Sequence, residues 1–341
     1  MNRDDRLLRR IQEMLSLDND TLAQQLHSDF NRYFRHLLRD PAAIARYFED
    51  VEYLLNRGRL QGRVLDLASG FGLTAICLRM LGVDSVTGLD ISDTKVTTSR
   101  TLAKRLQVDN CVFQLGDGLS LPFEDGSFDG VLIKDAVSHF SDPAGVWAEV
   151  TRVLRPGGRL VIVDDRNQRN PHVVAATRKI WEISETGTGT ELSSLGTDVS
   201  FTQMRRDYIA QHFSHVGEGA RSAIADRTRG FTFAMLDRAV PSLLEGKPVG
   251  LTPVAPCVNP ANEIVQERLV DPLGLARDLE SLGFGTSVLP PVLRKRLFAR
   301  IVVRMLWPAS ALRPALLRRM DSFIVVARKP RGRAYRAIGT T

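Results

Sequence analysis

Three acids in this chain each close a short β-rich run: Asp66 in VLDLASGFG, Asp90 in SVTGLD and Asp117 in CVFQLGD. After Asp66 come Ala68, Ser69, Gly70 and Gly72, a turn of small residues feeding the helical run LTAICLRML. Small side chains let the backbone approach a ligand closely, and the turn delivers it to a helix N-terminus. At a strand end, Asp66 can accept hydrogen bonds from a cationic ammonium group. Asp90 lies about 20 residues beyond the turn, where a carboxylate can take both hydroxyls of a ribose. Asp117 can accept a hydrogen bond from the amino group of adenine. Any one of these acids alone could be a helix N-cap. Three at successive strand ends would instead line one edge of a sheet. The G-x-G-x-x-G spacing of a dinucleotide turn is absent, because Ala68, Gly70 and Gly72 give small-x-G-x-G.

These acids need a scaffold, and hydropathy patterning supplies one. Runs with strand character (RVLDLA at 63–68, SVTGLD at 85–90, CVFQLG at 111–116, FDGVLIK at 128–134, RLVIVDD at 159–165) alternate with helix-like stretches at 72–82, 93–107 and 143–154. Five βα units imply a parallel sheet covered by helices on both faces. LRPGGRL reads as a turn leading into the fifth strand. Residues 1–57 read as helical. Residues 166–270 break the rhythm, with helical segments near 171–185, 202–213 and 219–244, as expected of a cap or lid. Sheet patterning resumes with a helix at DPLGLARDLESLGF and strands at GTSVLP and DSFIVVARK. The expected divisions are 1–57, a core at 58–165, a cap at 166–270, the rest of the core at 271–330 and a disordered basic tail at 331–341.

The chain has 341 residues, of which 43% are hydrophobic and 25% charged, enough to bury a sizeable core. No apolar run reaches the roughly 18 residues that span a bilayer. The N-terminus lacks the apolar stretch of a signal peptide. Cys77, Cys111 and Cys257 are too far apart and too few for a disulfide framework or a CxxC zinc site. The expectation is a cytoplasmic protein with reduced thiols. The net charge of +7 is uneven: residues 291–341 hold 13 of the 46 Lys and Arg but only one acid, Asp321. That segment suits an anionic partner or a solvated face.

Together VLDLASGFG, VTGLDIS, GDGLSLPFEDGSFDGV and LRPGGRLVIVD resemble the class I S-adenosylmethionine-dependent methyltransferases of small-molecule type. The likeness covers residues 63–165, and LESLGF, SVLP and SFIVVARK resemble the end of that fold. It implies a Rossmann-like seven-stranded α/β sheet with helices on both faces, the last strand antiparallel, and here a helical cap inserted after the fifth strand. S-adenosyl-L-methionine is the implied cofactor. Asp66, Ala68, Ser69, Gly70 and Gly72 would hold its methionine end, Asp90 and Ile91 the ribose, and Asp117 and Gly118 the adenine. Lys134 and Asp135 would lie beside the sulfonium. Ala68 stands where the family usually has glycine. The implied activity is methylation of a small metabolite, at oxygen before nitrogen or carbon.

His139, in KDAVSHFSDP, follows the fourth strand and is the candidate general base, though it would equally pack beneath the cofactor loop. His172, His212 and His215 in the insert, and Tyr33 and Tyr47 in the N-terminal helices, could also reach an acceptor or simply pack. Asp135, Asp164, Asp165 and Asn167 would suit magnesium, but the remaining motifs favour the metal-free group, so no metal is expected. The loop KDAV lacks the Pro-Pro-aromatic pattern of base-amine methylation, and no cysteine lies there for carbon methylation, which argues against nucleic acid. In LRKRLFARIVVRMLW, Arg296, Arg300 and Arg304 form a stripe beside an apolar face. Residues 293–319 thus suit a membrane surface, with a lipid-linked acceptor, or ordinary packing on a core. A non-catalytic S-adenosylmethionine-binding protein is the other alternative.

Overall fold

The computed structural model describes residues 40–331 except 196, 254, 292–302 and 304, together with Phe30 and Leu37. Most of the basic stripe at 293–307, Tyr33 and the tail from 332 lie outside the described residues.

Seven strands form one sheet in the order β3-β2-β1-β4-β5-β7-β6. They are β1 (Arg63–Leu67), β2 (Ser85–Asp90), β3 (Cys111–Leu115), β4 (Phe128–Lys134), β5 (Leu154–Asp164), β6 (Gly285–Leu289) and β7 (Phe323–Arg328). The first five run parallel, and β7 is antiparallel to both β5 and β6. The expected seven-stranded α/β sheet with helices on both faces is what forms.

Alternation along the central strands explains the two cores. Val64, Leu132, Val161 and Ile324 pack under α1 (Pro41–Gly58), α2 (Leu73–Met80) and α3 (Asp93–Arg105). Leu65, Val131, Ile133 and Ile162 face the other way, against α4 (Pro143–Val153) and α10 (Pro272–Ser281). Local chemistry fixes the helix starts. Asp40, Ser92, Asp142 and Asp271 each cap a helix by accepting a hydrogen bond from a first-turn amide. At Gly72, the cap of α2, φ is +77°, and an added Cβ would lie 2.6 Å from the Phe113 ring, so no larger residue fits.

Two elements depart from the sequence pattern. β5 begins at Leu154, not at residue 159: Leu154 pairs with Phe128 before the register shifts, and Gly157 and Gly158 exchange main-chain hydrogen bonds with the segment after β7. The turn glycines are thus absorbed into sheet pairing. The helical segment at 219–244 is two helices, α8 (Glu218–Arg227) and α9 (Phe233–Leu244). Thr228 turns its hydroxyl back onto the Ile224 carbonyl at the end of α8, and Thr232 caps α9.

The remaining insert helices are α5 (Pro171–Thr186), α6 (Thr190–Ser194) and α7 (Phe201–His212). Ile209, Ile224, Phe231, Leu236 and Val240 form a separate small core here. Arg169 ties the start of the insert to the cap of α10 through a two-pronged pair with Asp271, at 2.6 and 2.9 Å, and within the insert Trp181 Nε1 donates to the Gln266 carbonyl at 2.8 Å. The short helix α11 (Arg313–Leu317) precedes β7, and Trp307 Nε1 anchors this region by donating to the Val288 carbonyl. Among the described residues no helix is long and apolar enough to cross a membrane.

Candidate functional site

The strand order reverses between β1 and β4, and the carboxyl ends of parallel strands flanking such a switch are where α/β sheets bind ligands. The turn after β1 lies there and is held by its neighbours. Ser69 N–H donates to the Leu89 carbonyl, and Gly70 N–H donates to Asp90 Oδ2 at 2.8 Å. The other oxygen of Asp90 accepts from Ser92 N–H at 3.0 Å. One carboxylate therefore braces both the turn and the start of α3, and each of its oxygens retains lone-pair capacity. Gly70, with φ +55°, borders open space: an added Cβ would meet nothing within 4 Å. Ala68 adopts φ +59° in the same turn, a conformation unfavourable for an L side chain.

Asp66 is almost wholly buried. Burial pushes its carboxyl pKa up to about 7, against the opposing pull of Lys134. Asp66 Oδ2 and the hydroxyl of Ser69 are buried without a hydrogen-bond partner. Two orphaned polar atoms in one turn call for partners from a ligand.

Asp117 is exposed, and its Oδ1 accepts from Leu119 N–H at 2.9 Å, an Asx turn that shapes the loop around Gly118. Ile91 is 69% exposed, and Leu119 is exposed too. Apolar side chains left open beside Asp90 and Asp117 suit the flat face of a base.

Lys134 closes β4 and pairs with Asp135, which has φ +53°. Its ammonium lies 5.3 Å from the centroid of the Tyr47 ring. Burial opposes this charge, but Tyr47, Asp135 and Asp66 outweigh it and hold the ammonium pKa above its ordinary value. Tyr47, on α1, shares a 2.7 Å hydrogen bond with Thr74 on α2, and burial raises its phenol pKa to about 12. Thr74 had no signal in the sequence beyond its place on an apolar helix.

The loop after β4 is fixed from two sides. Asp164, fully buried at the end of β5, accepts from Ser138 N–H and Arg166 N–H at 3.0 Å each; burial raises its pKa to about 6. The insert supplies the second side. Arg268 N–H donates to the Ser138 carbonyl, and His139 Nδ1 lies 2.9 Å from the Val265 carbonyl. A carbonyl only accepts, so Nδ1 carries the proton and Nε2 of the neutral ring is left as a base. Residues 265–268 have no periodicity by which the sequence could announce this contact.

The oxygen set weighed for magnesium is not gathered for a cation. Both Asp164 oxygens serve main-chain amides, and the Asn167 side chain bonds the Leu317 and Met320 carbonyls and the Arg169 amide. Among the insert histidines, His212 stacks on Tyr208 and bonds its carbonyl, within α7.

Residues 65–162 match the family model described as methyltransferase domain. An O-methyltransferase, resE, of Aspergillus sclerotiorum is 28% identical over 142 residues, 40% of this chain and 54% of that protein. The 27-O-demethylrifamycin SV methyltransferase of Amycolatopsis mediterranei is 37% identical over 107 residues, 31% of this chain and 39% of that protein. The crystal structure of YcgJ from Bacillus subtilis aligns with 83% of this chain and 99% of its own at 17% identity, with a TM-score of 0.45. The chain spans about half the length of the curated relatives it matches first.

Proposed function

We infer that this chain, whose residues 65–162 match the methyltransferase-domain family, is a class I S-adenosylmethionine-dependent methyltransferase that transfers a methyl group to a hydroxyl of a small-molecule acceptor. The supporting observation is the turn after β1, where buried Asp66 Oδ2 and Ser69 Oγ have no partner. The names of the two relatives above state O-methylation for those proteins, which supports oxygen as the acceptor atom here.

The residues fit S-adenosylmethionine. Asp66 and Ser69 offer unused polar atoms to an ammonium group, and Gly70 leaves room for a ligand against the backbone. Asp90 retains lone pairs for ribose hydroxyls beside exposed Ile91, and the loop holding Asp117 and Gly118 would receive the base. Ala68 and Gly72 shape the turn, and Lys134 and Asp135 stand at the end of β4 toward the reacting centre. When bound, the cofactor supplies a methyl group already activated by a positively charged sulfur.

The chain's own residues must position the acceptor, exclude water and remove a proton. The cofactor held by Asp66, Ser69 and Asp90 would supply its methyl group to the acceptor hydroxyl. The hydroxyl proton leaves to His139 Nε2. Asp164 and Val265 hold the His139 loop and ring so that Nε2 is the free base. Residues 265–268 of the insert hold the loop after β4, and the insert would shape the acceptor's surroundings.

Calorimetric titration with S-adenosylhomocysteine, alongside Asp90→Ala, tests the reading. Micromolar binding that the variant loses, followed by label transfer from methyl-tritiated donor to a panel of hydroxylated aromatics, is the expected result. Absence of binding to the wild-type chain would sink it.

A further inference from the structure

At the opposite end of the sheet from these acids, Arg159 on β5 and Arg328 on β7 are directly paired in the antiparallel register. Paired residues share one face with Cβ atoms about 5 Å apart, and like charges in that position destabilise the sheet. Two more arginines crowd the pair. Gly58 packs so tightly on β5 that an added Cβ would strike Val161 Cγ2, which brings the next residue, Arg59, beside the start of the strand. The stem of Arg331 lies over Gly157, 3.2 Å from where a Cβ would stand. Burial first, then Arg328, Arg59 and Arg331 in turn, lower the pKa of the Arg159 guanidinium.

Among the described residues no acid compensates this charge. Among the described residues, none of the four guanidiniums makes an ion pair or donates a side-chain hydrogen bond. The neighbouring basic residues are spoken for: Arg63 and Arg155 pair with Asp129, and Lys329 gives its ammonium to the Thr151 and Leu154 carbonyls. Arg159 and Arg328 at the centre are half-buried, while Arg59 and Arg331 at the rim are exposed. Four planar donors with no acceptor match the oxygens of a phosphate, which guanidiniums grip two bonds at a time.

We propose that Arg59, Arg159, Arg328 and Arg331 form a binding site for a phosphate-bearing ligand, separate from the methyltransferase site. The ligand relieves the repulsion between Arg159 and Arg328 that the sheet register imposes.

Thermal unfolding of the full chain in pyrophosphate and in sodium chloride of matched ionic strength tests this, because general screening then cancels. Pyrophosphate should raise Tm saturably, by about 2 °C or more, where chloride does not. Arg159→Gln with Arg328→Gln should abolish that response and raise Tm in its absence, a gain that a damaged fold cannot give. Arg63→Gln with Arg155→Gln removes the same charge nearby and should keep the response. Sedimentation with phosphatidate vesicles identifies the source. Pelleting lost in the Arg159/Arg328 variant means a lipid headgroup; pyrophosphate binding without pelleting means a soluble phosphate. Equal Tm shifts in both salts, or a pyrophosphate shift that survives in the Arg159/Arg328 variant, overturns the proposal.

Discussion

The imidazole of His139, in the loop after β4, donates its Nδ1 proton to the carbonyl of Val265, 126 residues away in the insert. The contact sets the tautomer and ring orientation, so the insert fixes this ring. Replacing His139 by alanine should lower kcat by about a hundredfold, the usual contribution of a general base. S-adenosylhomocysteine affinity should stay within about twofold of wild type, since no cofactor-holding role falls to this ring. An unchanged kcat at saturating acceptor would remove His139 from the chemistry and leave it a packing residue.

Asp66 sets a pH dependence whose sign follows from its raised pKa. In the free protein the carboxyl titrates at about 7, above its ordinary value of 3.8. Between those values the folded chain holds a proton that the unfolded chain has released, so this group's contribution to stability falls as pH rises. A ligand ammonium beside Asp66 favours the charged carboxylate, and binding below pH 7 must expel the proton. Affinity for S-adenosylhomocysteine should therefore climb by up to about tenfold per pH unit toward neutrality, then flatten. Asp66→Asn should bind weakly with no such slope. A flat wild-type profile by calorimetry would mean that Asp66 does not meet the ammonium.

Ala68 carries a conformational cost set by its backbone angle. With φ at +59°, its methyl crowds the following carbonyl, which costs about 1–2 kcal/mol for an L residue. Glycine escapes that penalty but loses about 0.5–1 kcal/mol of chain entropy. Ala68→Gly should then stabilise the protein by about 0.5–1 kcal/mol in urea denaturation without weakening cofactor binding. Net destabilisation would show that the methyl packs favourably enough to outweigh the strain.

Gly88 tests how closely β2 approaches its neighbour. A Cβ there would lie 2.5 Å from the Phe113 ring and 2.9 Å from Ser69 Oγ. Gly88→Ala should cost about 1–3 kcal/mol by overpacking and disturb the turn after β1, so stability and cofactor affinity fall together. Adding Phe113→Leu should restore part of both. Loss of stability with affinity intact would uncouple the turn from this packing.

The parts of this fold visible in the sequence are those whose physics is local. Apolar runs ending in Asp66, Asp90 and Asp117 marked the strands and the edge they share, and the small residues at 68–72 marked the turn. β5 starts earlier than its residues suggest because Pro156, Gly157 and Gly158 signal a turn. That turn is instead completed by hydrogen bonds to residues far away in sequence, beyond β7. The break between α8 and α9 rests on two threonines that cap in opposite directions, and helical periodicity runs through both. By type and strand end alone Asp164 could suit magnesium, a reading the remaining motifs already disfavour. The amides of Ser138 and Arg166 that occupy it belong to backbone geometry. The Val265 contact to His139 was hidden for the same reason, as a main-chain carbonyl leaves no trace in residue identity.

The insert depends on one fully buried ion pair, and its energetics yield a further prediction. Arg205 on α7 is 0% exposed and Glu185 on α5 2% exposed. Arg205 also bonds the Ala225 carbonyl at 3.1 Å and Thr202 Oγ1 at 3.0 Å, joining α5, α7 and α8. Yet Glu185 Oε1 and Arg205 Nη1 are buried without partners, so the pair is incompletely satisfied. Removing one member should destabilise strongly, because a buried charge is left alone: Arg205→Leu should cost about 3–5 kcal/mol. Replacing both charges with apolar residues removes two desolvation penalties at once. Arg205→Leu with Glu185→Leu should therefore recover most of that loss in urea denaturation. Because α5 carries Trp181, which bonds the segment holding Val265, the single variant should also loosen the His139 loop and lower kcat more than it weakens S-adenosylhomocysteine binding. Near wild-type stability in Arg205→Leu would show that water already reaches the pair and that the insert is held by its apolar core alone.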